Sequence, residues 1–117
     1  MGNQNLILTL ESAATASGTS SVPLDVSLMT EIATFLVVNS ASGTSPSLTV
    51  TLQDSPDGVH WANAYTFPAV TSGSTVLRAG WSDLKQCIGR YLRASWTITG
   101  TSPSFSFSVS VVPLSAE

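Results

Sequence analysis

The stretch Gly43-Thr44-Ser45-Pro46-Ser47 is written twice in the chain, returning as Gly100-Thr101-Ser102-Pro103-Ser104, and its reading decides the fold. Gly43 and Gly100 admit positive φ. Pro46 and Pro103 fix φ near −65° and push the serine before them toward an extended conformation, so each copy reads as a bend that ends in a strand entry. An apolar run precedes the first copy, at residues 35–38, and an alternating one precedes the second, at residues 92–98. Strict alternation follows both, as Leu48-Thr49-Val50-Thr51-Leu52 and as Phe105-Ser106-Phe107-Ser108-Val109. The simplest expectation is a pair of similar β-hairpins, with residues 32–38 beside 48–52 and residues 92–98 beside 105–111.

Working outward, the period stays at two. Leu92, Ala94, Trp96 and Ile98 alternate with Arg93, Ser95, Thr97 and Thr99, and residues 32–38 are more continuously apolar, as in a central strand. Val59, Trp61, Tyr65 and Phe67 share one parity, with Asn63 as the polar exception. Weaker strands are expected at residues 6–10, 22–28 and 75–79. The one short helix expected spans residues 82–88, with Ser82 as N-cap and Gly89 as stop. The expected class is therefore all-β: an antiparallel β-sandwich, jelly-roll-like or immunoglobulin-like, of about eight short strands. Residues 1–21 form an N-terminal arm or first strand, and residues 22–117 form the sandwich domain.

Composition narrows the function. The chain has 117 residues, of which 9% are charged and 43% hydrophobic, and its formal net charge is −3. Serine and threonine make up roughly three residues in ten, where an ordinary soluble domain is about one quarter charged. Four basic residues in all cannot neutralise a phosphate backbone, so no nucleic-acid partner is expected. Neither a signal peptide nor a membrane span is read in MGNQNLILTL, whose apolar run is short and lacks a basic flank. Cys87 is the lone cysteine and is expected to be a small buried hydrophobe.

Catalytic and metal constellations are hard to assemble from these residues. A nucleophile triad needs a histidine base and an orienting carboxylate, but the sole histidine, His60, sits in the turn Ser55-Pro56-Asp57-Gly58-Val59-His60-Trp61. In that turn Asp57 is expected to bond the backbone ahead of it, while Gly58 supplies an awkward dihedral and Trp61 returns to lid the core. The acidic residues Glu11, Asp25, Glu31, Asp54, Asp57, Asp83 and Glu117 are scattered, so no glycosidase pair is expected. The loop from Asp54 to Asp57 offers at most a weak calcium site. No enzyme activity, metal or other cofactor is expected.

Several segments in succession carry a resemblance: Leu24-Asp25-Val26-Ser27, residues 43–53, the turn at 55–61, Arg90-Tyr91-Leu92-Arg93-Ala94, and residues 100–109. Over residues 22–112 the chain resembles the small virion structural proteins of tailed bacteriophages. The resemblance implies a non-enzymatic capsid decoration or cement protein on the capsid exterior, made in the host cytoplasm. It would be a trimer or dimer bound to the major capsid protein at capsomer junctions. A head-completion or tail-associated role is the alternative within the virion. Expected partner-binding residues are Arg90, Tyr91, Arg93 and Trp81, together with Leu6, Ile7 and Leu8, which are read as a strand offered to a neighbour's sheet edge or as the first strand of their own sheet. The rival from another class is a carbohydrate-binding module with Trp61, Tyr65 and Trp81 as its stacking platform.

Overall fold

A computed structural model describes residues 6–20, 23–26, 31–80, 84 and 89–114, with the side chains of Leu6, Glu31 and Leu114 excepted. Among these residues are seven strands: β1 (Leu6–Ala14), β2 (Gly18–Thr19), β3 (Leu24–Asp25), β4 (Glu31–Ser55), β5 (Ala62–Thr66), β6 (Thr75–Ala79) and β7 (Tyr91–Leu114). Their pairings are antiparallel. The sequence pattern is thus confirmed as all-β, but the eight short strands are replaced by five short ones around two very long ones. Of the expected helix at 82–88 only Leu84 is described; it is buried, and its amide bonds the carbonyl of Gly80. Cys87 lies outside the described residues.

The hairpin reading of the repeat is overturned. β4 does not reverse at Gly43, nor β7 at Gly100. The two strands run past each other along their whole length, from Glu31 opposite Leu114 to Ser55 opposite Tyr91. The two copies of the repeat meet in the middle, with Thr44 opposite Thr101 and register shifts on both sides. The backbone is the same in each: φ is 113° at Gly43 and 120° at Gly100, and 50° at both Ser45 and Ser102. A Cβ on Gly43 would lie 2.7 Å from the Ser102 carbonyl oxygen, and one on Gly100 would lie 2.8 Å from that of Ser45. Glycine is required at both places by the approach of the other copy and by its own dihedral. Glycine and proline specify a bend correctly; what they do not specify is that the chain bends without turning back.

The bend folds the sheet over on itself. Twenty-five residues of straight strand would span about 80 Å, yet the longest dimension of the molecule is 45 Å. Trp96 and Phe107 sit on the same strand, about ten residues or ~35 Å apart if extended, but their rings meet edge to face at 5.4 Å. One layer therefore contains β1, the C-terminal half of β7, the N-terminal half of β4, and β6. The other contains β2 and β3, the N-terminal half of β7, the C-terminal half of β4, and β5. Leu36, Val38, Phe105, Phe107, Val109 and Val111 from the first layer close on Leu48, Val50, Leu52, Leu92, Ala94 and Trp96 from the second. This is the apolar parity of the alternating strands, buried as sandwich packing demands.

Hydroxyls finish the edge where strands are short. The Ser20 Oγ accepts from the Ala94 amide at 3.0 Å, the Ser17 Oγ accepts from the Ile98 amide at 3.0 Å, and the Thr34 hydroxyl donates to the Ala79 carbonyl at 3.2 Å. The Trp96 indole donates to the Ala16 carbonyl at 3.2 Å. Part of the unusual serine and threonine content therefore satisfies backbone groups that two-residue strands leave open.

Candidate functional site

Two outer faces remain after the core is closed, and they differ in chemistry. On the layer that contains β5, in-register rows run Arg93–Gln53–Asn63 and Ser95–Thr51–Thr66. The Arg93 Nε donates to the Gln53 Oε1 at 2.8 Å, the Gln53 amide donates to the Asn63 Oδ1 at 3.0 Å, and the Thr51 and Thr66 hydroxyls are 3.1 Å apart. The Arg93 guanidinium also lies 4.2 Å from the Trp61 ring centroid, a stacked cation–π contact. Beside it, Arg90 reaches Asp25 at 3.4 Å and lies over the Tyr91 ring at 5.3 Å. Arg90, Tyr91 and Arg93 do share one region, as the sequence suggests, but Arg93 is engaged within its own chain.

Trp61 corrects the expected parity. It is half-buried under Arg93 on the outer face instead of lidding the core, and Val59 is exposed. The cause is a register shift in the β4–β5 pairing: Leu52 faces Tyr65, but the next residue, Gln53, faces Asn63. The extra residue, Ala64, moves Asn63 and Tyr65 to opposite faces despite their equal parity. Tyr65 packs on the core edge and meets Phe67 at 5.2 Å, while Trp96 is a true core residue.

The turn before β5 is built as its residues imply. Ser55 is buried; its Oγ accepts from the Asp57 and Gly58 amides and donates to the Asp57 Oδ1. That oxygen also accepts from the Val59 and His60 amides, at 2.8 and 2.9 Å, and the Asp57 Oδ2 is 2.8 Å from the His60 Nδ1. The His60 amide above all, then the His60 ring and the Val59 amide, hold the Asp57 carboxyl far below the usual carboxylate range. Asp57 and His60 are thus committed to each other and to the turn. Asp54, next to the last residue of β4, accepts from the Gly89 amide at 2.7 Å.

The second outer face, on the layer that contains β1 and β6, carries an apolar patch among serines and Arg78. Its rows are Ile7–Ser110–Phe35–Arg78, Leu10–Ser108–Val37–Val76, and Val112–Ala33. Ile7, Leu10 and Val76 are 53%, 69% and 63% exposed, and Phe35 and Val37 lie half-buried between them. Of the residues expected to bind partners, Ile7 belongs to this face. Leu8 is buried at a bulge in β1, the side chain of Leu6 lies outside the described residues, and so does Trp81. Leu10, Phe35, Val37 and Val76 are not singled out by motif or spacing. The signal for Phe35 and Val37 is the largely apolar run at 32–38, broken only by Thr34, which marks a strand carrying hydrophobic groups on both faces.

No protein-family model matches the chain, and no curated protein is similar to it by sequence. By structure it is similar to the crystal structure of the PBSX exported protein XepA, with a TM-score of 0.64 over 97% of this chain at 14% identity. The chain spans 38% of the length of that protein. At this identity the likeness is one of fold: an antiparallel all-β sandwich.

Proposed function

We propose that the chain is a non-enzymatic structural protein of a phage particle, and that it works by attachment, as a decoration or cement protein bound to the assembled shell. The observation that carries this reading is the apolar outer face of Ile7, Leu10, Phe35, Val37 and Val76, which lies on a molecule with few surface charges to desolvate. The fold shared with the PBSX exported protein XepA supports the same direction. A protein that binds only the assembled shell stabilises it by mass action, and repeated weak contacts around a symmetric particle multiply the effect. The carbohydrate alternative is less well served, because Arg93 already covers Trp61 and Tyr65 packs on the core edge.

The test is made on virions of the encoding phage. The chain should be present in purified particles at a fixed ratio to the major capsid protein. The purified chain should also co-sediment with shells that lack it. A Leu10→Asp, Val76→Asp variant, folded by circular dichroism, should no longer sediment with them. Absence from the particles, or undiminished sedimentation of the variant, removes the proposal.

A further inference from the structure

Among the described residues, every strand pairing joins the first half of the chain to the second. β1, β2, β3 and β4 pair with β7, and β4 also pairs with β5 and β6. The isolated bridge between Leu48 and Val70 crosses the halves as well. Within the described set, no strand of residues 6–55 pairs with another strand of residues 6–55, and none of residues 62–114 with another of residues 62–114.

The two halves are also built alike. Each has a leading edge strand (β1 or β5), short middle strands (β2 and β3, or β6), and a long strand (β4 or β7). β1 pairs with the C-terminal part of β7, and β5 with the C-terminal part of β4. The middle strands of each half pair with the N-terminal part of the other half's long strand. The repeat lies at the centre of this arrangement, with matching dihedrals on both sides. The halves are therefore related as two subunits of an isologous dimer, fused through residues 56–61.

We infer that this protein is a fused dimer of half-chains, and that two copies can trade halves through residues 56–61 to form a dimer retaining every strand pairing of the monomer. The partner is a second copy of the chain. Exchange of identical elements is a low-cost route to dimers, because each pairing broken within one chain re-forms between two. Only the connecting turn must open. Its hydrogen bonds, from Ser55, Asp57 and His60, are local to it, so they act as the latch of the monomer. Neither the apolar face nor any role in a virion is needed for this exchange.

The experiment uses the full chain, wild type and Asp57→Ala, refolded from denaturant at low and at high protein concentration and sized by light scattering. A dimer fraction is expected that rises with concentration, is severalfold larger in Asp57→Ala, and persists after dilution. Monomer at every concentration in both proteins overturns the inference. A Thr49→Cys, Thr97→Cys pair, placed on facing positions of β4 and β7 with Cys87 replaced by Ser, then reports the connectivity. On a non-reducing gel an exchanged dimer gives a covalent two-chain species, whereas association by surfaces alone gives bonds within each chain and overturns the inference. Two differently tagged wild-type chains provide the same decision without cysteines. Mixed dimers should form when the chains are refolded together and not when they are mixed after folding; their formation from folded proteins also overturns the inference.

Discussion

Asp57 receives hydrogen bonds from two backbone amides and a serine hydroxyl and pairs with His60, all within six residues of chain. These partners favour the charged carboxylate, so its folded pKa lies below the unfolded value of about 3.9. A depressed acid contributes stability that is fully present above the unfolded value and is lost as pH falls through the folded one. The urea midpoint of the wild type should therefore drop between about pH 5 and pH 2 by more than that of Asp57→Asn, which cannot titrate. Equal drops would show that the turn does not feel the charge. This turn is legible from Ser55, Asp57 and Gly58 alone, because a short side chain bonding the backbone two or three residues ahead is a local event. Trp61, a few residues on, is not legible, since its face depends on the extra residue at Ala64, which only the pairing with β4 reveals.

At the scale of the strand, the crossing of β4 and β7 depends on Gly43 and Gly100. A methyl group at either would meet a carbonyl oxygen of the other strand under 3 Å away, in a dihedral region that side chains rarely adopt. Gly43→Ala and Gly100→Ala should each cost more than about 1 kcal/mol, and by similar amounts because their surroundings repeat. Chemical denaturation of both variants checks this, and a large cost at one position only would argue against equivalent halves. The inner parity of residues 92–98 and 105–111 is readable directly, because alternation fixes which side chains face inward. The partner of each strand is not: residues 48–52 pair with 94–98, and residues 32–38 with 107–113, across tens of residues, and no local signal distinguishes a kinked strand from a hairpin. The apolar outer face is half legible, in the largely apolar run at 32–38, but its completion by Ile7, Leu10 and Val76 arises from strands brought alongside from elsewhere.

Across the whole molecule, the two layers are clasped by side chains that meet only because the sheet is folded over. Phe107, fully buried against Trp96, is central to that clasp. Phe107→Ala should cost about 3–5 kcal/mol, from lost burial and the cavity left behind. Against the roughly 5–15 kcal/mol that holds a typical domain folded, this is enough to leave the variant marginal, as a urea titration would register.

Because no described strand pairs within its own half, synthesis on the ribosome imposes an order of events. β1 through β4 emerge first, each with nothing to zip onto, and β4 acquires its main neighbour only once β7 has been translated. At about 5–20 residues per second this interval lasts several seconds. The nascent polypeptide enters it as an open template of unsatisfied edges, covered only in part when β5 and β6 reach β4, and stalled chains truncated before Ala62 should be digested by protease as readily as an unstructured peptide.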